Sequence, residues 1–267
     1  DFLVQQGLRC RPAESHDDMP TCYRLRTRLL LGGEAIDVRE TLFGFRELGV
    51  DGRHVTINGI PWRPHAWNSM GMGNDGGLDE YFRWNDRGVR MEGGVDAAFF
   101  DRHGIPGRLS MAWEGMFGQV AMNNPRMWEN WKLHVAQMGR AYRNSPSVLH
   151  WSVGNEVLMI TGRLFFGGEI GQHEGQLAEV FDVARQLDPT RTVSEDGAGD
   201  AGGLGDSNNW HYVTGEYKVP RQFYAYDIGP ASEQREGIEF QALYRWDGTR
   251  PLVQGEEFYY NGMGNMA

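Results

Sequence analysis

The stretch Pro146-Ser147-Val148-Leu149-His150-Trp151-Ser152-Val153-Gly154-Asn155-Glu156 decides how this chain is read. Its middle, Val148–Asn155, reads as a β-strand that ends on an adjacent amide and carboxylate. Helical patterns flank it. Upstream, Pro125–Tyr142 opens with a proline suited to a first helical turn and carries Trp128, Trp131, Leu133, Val135 and Met138 as a broad apolar stripe. Downstream, Gly175–Leu187 reads as a helix that Asp188-Pro189 stops. The alternation extends outward from there, beginning after Asn58-Gly59. Further strands are expected at Trp62–Trp67, Gly88–Glu92, Arg108–Glu114, Thr192–Glu195, Asn208–Tyr212 and Leu252–Glu256, with helices at Asp96–His103 and Gly237–Trp246. Gly197–Gly205 is rich enough in glycine to form a flexible loop.

Seven such units point to an α/β fold of the (β/α)8 TIM-barrel type. No Gly-x-Gly-x-x-Gly follows the first strand, which argues against an open doubly wound sheet. One strand and one helix are missing from the full set. A barrel short of a strand would expose two unpaired edges, so the natural chain is expected to continue beyond Ala267 or to take its closure from elsewhere. Residues 1–49 read differently. Thr21–Leu30 alternates large and polar side chains, Gly32-Gly33 marks a turn, and Ala35–Thr41 alternates again, as a β-hairpin would. Two or three strands cannot bury both sheets of a sandwich, so 1–49 is expected to be part of a β-sandwich and 50–267 the barrel.

Composition narrows the partners. The 267 residues are 40% hydrophobic, enough for one large core, and 12% aromatic, with nine Trp and ten Tyr. Some of those flat side chains should lie outside the core, where the apolar faces of sugar rings pack well on them. A net charge of −10 leaves no basic footprint for nucleic acid or anionic lipid. No apolar run reaches membrane-spanning length, and Asp1-Phe2-Leu3-Val4 has neither an initiator Met nor a signal-peptide layout, as expected of a processed chain or a fragment. Cys10 and Cys22 are the only cysteines, without a metal-ligand pattern around them. No cofactor or metal is called for. The compartment stays open between cytoplasmic and secreted or periplasmic, and so does homo-oligomerisation.

Barrel chemistry collects at the C-terminal ends of the strands. Those positions hold His65, Trp67 and Asn68, then Arg90 and Glu92, Trp113 and Glu114, Asn155 and Glu156, Glu195 and Asp196, Trp210, His211 and Tyr212, and finally Glu256 and Glu257. Carboxylates, amides and indoles without a Cys/His cluster or a serine nucleophile elbow suit a carbohydrate substrate. Cleaving a glycosidic bond needs one carboxylic acid to protonate the leaving oxygen and one carboxylate to meet the developing oxocarbenium ion. Glu156 and Glu256 come from strands that face each other in a closed barrel. A gap of about 5 to 5.5 Å between them would favour the retaining, covalent route.

The same residues resemble a family. Pro146-Ser147-Val148 running into Trp151-Ser152-Val153-Gly154-Asn155-Glu156 is similar to the acid/base motif of glycoside hydrolase family 2, which includes β-galactosidases, β-glucuronidases, β-mannosidases and exo-β-glucosaminidases. Phe43-Gly44-Phe45-Arg46-Glu47 with Asn58-Gly59 resembles the junction between that family's immunoglobulin-like domain and its barrel. Val89-Arg90, Phe99-Phe100-Asp101 with His103-Gly104-Ile105, and Pro251-Leu252-Val253-Gln254-Gly255-Glu256 resemble its second strand, the following helix and its nucleophile strand. The likeness covers the chain from about Tyr23 onward. Several elements depart from it: the family's N-terminal sugar-binding-type domain, most of its sandwich, the eighth strand and the last helix are absent, and the segments around Asn85–Arg90 and Phe100–Arg108 are short. Spacing from Pro251 favours Glu256 as nucleophile, whereas the aromatic Phe258 favours Glu257; the reading takes Glu256.

The resemblance implies roles. Glu256 attacks the anomeric carbon near the fixed charge of Arg90, Glu156 acts as acid and then base, and Asn155 binds the sugar 2-substituent. His211 and Tyr212 orient the nucleophile or a hydroxyl, while Trp113, Trp210 and Asn68 line the substrate. Competing structural readings stand beside these: Arg90 and Glu92 as an ordinary ion pair, Trp113 as packing, and Trp210-His211-Tyr212 as buried aromatics. The expected activity is a retaining exo-acting β-glycosidase, leaning to β-galactosidase. The alternatives are a β-mannosidase, an exo-β-glucosaminidase, or a barrel that binds carbohydrate without turnover.

Overall fold

Runs of strand and helix that alternate along a chain form parallel sheets whose crossovers all have one hand. In a barrel, unlike a doubly wound sheet, the strand order then follows the sequence without reversal. The computed structural model describes residues 2–5, 23–62, 66–68, 75–83, 88–91, 97–111, 122–155, 157, 171–197, 203–211 and 249–256. Its parallel strands are β7 (Ala66–Asn68), β8 (Gly88–Met91), β9 (Gly107–Ser110), β10 (Val148–Asn155), β11 (Thr192–Asp196), β12 (Asn208–His211) and β13 (Leu252–Glu256). The first five pair in the order β7-β8-β9-β10-β11, and β12 pairs with β13. Seven strands in unreversed order, separated by α1 (Asp75–Arg83), α2 (Ala97–His103), α3 (Pro125–Tyr142) and α4 (Gly171–Leu187), form a partial (β/α) barrel.

Two compact units divide the chain. The first comprises Asp1–Gly49, Thr56–Leu109 and Arg140–His150. It contains an antiparallel sheet, β1 (Phe2–Gln5), β2 (Tyr23–Leu31) and β3 (Glu34–Phe43), in which Tyr23 pairs with Phe43 and Leu31 with Glu34. Sequence alternation foresaw β2 and β3 but not β1. Tyr23, Phe43 and Phe45 cluster with ring centroids 5.0 to 5.5 Å apart. Leu29, Leu31 and Ile36 remain exposed.

Expected strand Trp62–Trp67 is displaced. It is described from Ala66 as β7, and ahead of it lies a short antiparallel meander, β4 (Leu48–Asp51), β5 (His54–Ile57) and β6 (Ile60–Pro61). Ile57 pairs with Ile60, and Asn58 and Gly59 between them have φ of 53° and 77°, the two-residue turn that an Asn-Gly dipeptide favours. The expected strand Arg108–Glu114 runs from Gly107 to Ser110, so Trp113 and Glu114 lie outside the described residues. Gly107 sits where the neighbouring strand leaves no room. A Cβ there would lie 2.6 Å from the Val89 carbonyl oxygen and 2.7 Å from Met91 Cε.

Helix α1 is not among the helices expected from the sequence, and Gly76 and Gly77 in its first turn lower its helical propensity. Buried Leu78 and Tyr81, one turn apart, hold it through packing instead of propensity. The helix expected at Gly237–Trp246 lies outside the described residues. Within the first unit, Arg46 binds the base of β10, donating to the Ser145 carbonyl at 3.3 Å and to that of Val148. Asp101 on α2 accepts the Ser145 hydroxyl at 2.6 Å and the Ser147 amide at 2.9 Å. Burial nevertheless raises the Asp101 carboxyl above its ordinary pKa, against those hydrogen bonds and the charge of Arg46.

The second unit comprises Val50–Val55, Ser110–Gly139 and Trp151–Ala267. Its core includes Trp128 of α3, stacked 5.3 Å from the half-buried Trp131, together with Trp151, Val153, Val193 and the α4 residues Leu177, Val180 and Phe181. The Trp128 indole donates to the Met122 carbonyl at 2.8 Å. Below β11, Asp188 gathers the Trp151 indole at 3.1 Å, the Thr190 amide and hydroxyl, and Arg191. The Arg191 guanidinium also lies 5.1 Å over the Trp151 ring.

Candidate active site

The strand ends of the second unit carry a set of buried polar side chains, an arrangement that costs stability unless partners or ligands satisfy them. Asn155 closes β10 and is 3% exposed, and its Oδ1 has no hydrogen-bond partner. Glu195 and Asp196 close β11 and are 1% and 0% exposed. Oε1 of Glu195 accepts the Val157 amide at 2.6 Å, and Oδ1 of Asp196 accepts Nδ2 of Asn209 at 2.7 Å. Beside β11, the Asp206 amide donates to the Val193 carbonyl and its carboxylate accepts the Val193 amide, which aligns the chain entering β12 with β11. Asn208, two residues on, is fully buried with both amide atoms unpartnered, as is Oδ1 of Asn209.

Two backbone features sharpen this end. Gly154 lets β10, β11 and α3 close together: a Cβ there would meet Val157 Cγ2 at 2.9 Å, Glu195 Cγ at 3.2 Å and Trp131 Cζ2 at 3.3 Å. The Trp131 indole donates to the Val153 carbonyl at 3.0 Å. On the neighbouring pair, Trp210 is opposite Gln254 and His211 opposite Glu256, so the register shifts at Gly255. Such irregularities exchange the faces of the residues that follow and are frequent beside active sites.

Of the residues singled out in the sequence, Asn155 is at the end of β10 between Gly154 and Glu156. Glu256 ends β13, with His211 as its register partner and Trp210 one residue before. In the first unit, Arg90 is buried on β8 and is the register partner of Asn68 on β7. Glu156, Trp113 and Tyr212 lie outside the described residues, as do His65, Glu92, Glu114 and Glu257. Asn208 and Asn209 were not singled out; two adjacent amides opening a short strand were the available signal. Among the described residues no group of three or more His, Cys, Asp or Glu could hold a metal ion, and no helix is long and apolar enough to cross a membrane.

A parallel barrel with its buried amides and carboxylates gathered at the strand ends defines the class: an α/β-barrel protein with its candidate site at the C-terminal face. Comparison with known proteins makes this particular. Residues 95–265 match the TIM barrel domain of glycosyl hydrolases family 2, and the chain belongs to that family. It is 24% identical to β-galactosidase 2 of Enterobacter cloacae over 284 aligned residues, which cover 96% of this chain and 24% of that protein. Among solved structures, a β-glucuronidase from Ruminococcus gnavus in complex with D-glucuronic acid aligns with a TM-score of 0.54 and 19% identity. That alignment covers 70% of this chain and 34% of the other. β-Glucuronidase 3 of Bacteroides uniformis aligns with a TM-score of 0.54 and 17% identity, covering 72% and 26%. The chain thus spans about a quarter of the curated relative and about a third or less of these structures, whose likeness establishes the fold.

Proposed function

We propose that the chain carries the catalytic barrel of a retaining exo-acting β-glycosidase of β-galactosidase type, with 1–49 as part of a preceding β-sandwich and 50–267 as the barrel. The observation that carries this reading is the end of β10, where Asn155 and Val157, both buried, flank Glu156 within the family's barrel match. In the first step Glu256 attacks the anomeric carbon, the glycosidic C–O bond breaks, and Glu156 gives its proton to the leaving oxygen. Water then attacks the glycosyl-enzyme, Glu156 takes its proton, and Glu256 departs as carboxylate. Asn155, with its unpartnered oxygen, meets the sugar 2-hydroxyl, and His211 stands beside Glu256 by register. Arg90, Asn68, Trp210, Trp113 and Tyr212 complete the substrate surface in this reading.

The galactoside preference rests on the curated relative and on the intact Asn155-Glu156 pair, which suits a substrate with a 2-hydroxyl. The test is a panel of aryl β-galactoside, β-glucuronide, β-mannoside and β-glucosaminide with the wild-type chain, Glu156→Gln and Glu256→Gln. Expected is fastest release from the galactoside, retention of anomeric configuration, and a loss of about 10²- to 10⁴-fold in Glu156→Gln. No release above the Glu156→Gln background on any substrate overturns the enzyme reading and leaves a carbohydrate-binding barrel.

A further inference from the structure

We infer that Glu195 is a positioning residue for Glu156, acting through the peptide that joins Glu156 to Val157. This rests on the acid/base assignment of Glu156 proposed above. A general acid works only if its proton reaches the leaving oxygen in a narrow range of distance and angle, so whatever fixes its backbone fixes its reach. The peptide nitrogen of Val157 is bonded to the carbonyl carbon of Glu156. Its N–H, two residues beyond the end of β10, donates to a side chain: Oε1 of Glu195, at 2.6 Å.

The contact is built in. Glu195 is 1% exposed and comes from β11, the strand next to β10, so its carboxylate is presented by a rigid element. On the other side of Glu156, the Trp131 indole on α3 holds the Val153 carbonyl at 3.0 Å. Gly154 is the residue that allows this closure, since any side chain there would press on Glu195 Cγ, Trp131 Cζ2 and Val157 Cγ2 together. Val153 and Val157 are therefore each held by a side chain from a different element, and Glu156 falls between them in the sequence. A buried carboxylate oxygen is a strong acceptor for a backbone amide, so this contact holds the 156–157 peptide more firmly than a neutral acceptor would.

The experiment compares wild type, Glu195→Gln and Glu195→Ala on aryl β-glycosides whose leaving groups range from phenol to dinitrophenol. In kcat/KM, which reports the glycosylation step, Glu195→Ala should lose about 100-fold on the phenyl substrate. It should lose less than about 5-fold on the dinitrophenyl substrate, which needs little protonation. Glu195→Gln keeps an amide-accepting oxygen and should restore most of the loss. The Val157 amide should exchange with solvent much faster in Glu195→Ala than in wild type and stay protected in Glu195→Gln, a readout that does not need turnover. Equal losses on all leaving groups, or an unchanged Val157 exchange rate in Glu195→Ala, overturn the inference. An inactive wild type with the expected exchange pattern instead removes the glycosidase reading and retains the grip on the 156–157 peptide.

Discussion

The two ends of β10 and β11 in the second unit bury polar groups in opposite ways. At the entry end, Asp188 is fully engaged by Trp151, Thr190 and Arg191, and the Arg191 charge is covered by the Trp151 ring. At the exit end, Asn155, Asn208 and Asn209 keep buried oxygens without partners. An unpaired buried amide costs on the order of 1 to 3 kcal/mol, so the exit end is maintained at a cost in stability that the entry end avoids. One end is arranged to hold the barrel together and the other to meet something from outside it. Substitutions that cost stability and substitutions that cost activity should therefore sort by end, and ranking them by stability tests the contrast.

Asp188→Ala should have the largest stability effect. It leaves the Arg191 charge buried without its carboxylate, which costs about 3 to 5 kcal/mol, measurable as a lowered midpoint in urea. Burial pushes the Asp188 carboxyl up, but the Thr190 hydrogen bonds and Arg191 outweigh it and hold its pKa below the ordinary carboxylate value. With the folded value depressed, the stabilisation is fully present above the unfolded pKa of about 4 and is lost as pH falls through the folded one. Asp188→Asn should flatten that acid limb. A midpoint that is unmoved in Asp188→Ala would remove the entry end's side of the contrast.

Gly154→Ala should cost less stability and more activity. The added Cβ meets Val157 Cγ2, Glu195 Cγ and Trp131 Cζ2 at 2.9 to 3.3 Å, so overpacking of about 1 to 3 kcal/mol is expected. The same displacement shifts Glu156, and a shift of about 1 Å costs on the order of 10²-fold in turnover. Chemical denaturation and kcat measured on one preparation separate the two. A variant that loses stability but keeps kcat would show that the closeness of β10 and β11 serves packing alone.

How far the sequence discloses this contrast follows from what each signal depends on. β10 and β13 were legible to the residue, Val148–Asn155 and Leu252–Glu256, and β12 to within one residue, because short strands bounded by turn residues announce themselves locally. Unreversed strand order was legible from the alternation of strand and helix. Helix α4 begins at Gly171, four residues before its expected start, and α1, with Gly76 and Gly77 in its first turn, was missed, since both depend on tertiary packing. In the site, Asn155, Glu195 and Asp196 were legible as strand-end residues. The bond from Glu195 to the Val157 amide was not, because choosing that partner depends on how closely Gly154 lets two strands approach. Asn208 passed unnoticed for a related reason: nothing local says that an amide will be buried and left unpaired.

The smallest stability effect should come from Asn155, and it decides what the unpartnered oxygens are for. Oδ1 of Asn155 makes no hydrogen bond, so removing it forfeits none and relieves the desolvation of a buried acceptor. Against that gain stands the small cavity left by a shorter side chain. The two terms are of similar size and opposite sign, so Asn155→Ala should shift stability by less than about 1 kcal/mol in either direction. Activity should respond differently, because a contact to the sugar 2-hydroxyl that strengthens in the transition state is worth about 10²- to 10³-fold in kcat. The loss should shrink on a 2-deoxy substrate, which has no hydroxyl to bind. If Asn155→Ala is instead destabilised by several kcal/mol and equally impaired on both substrates, the exit end is structural like the entry end, and the asymmetry between them disappears.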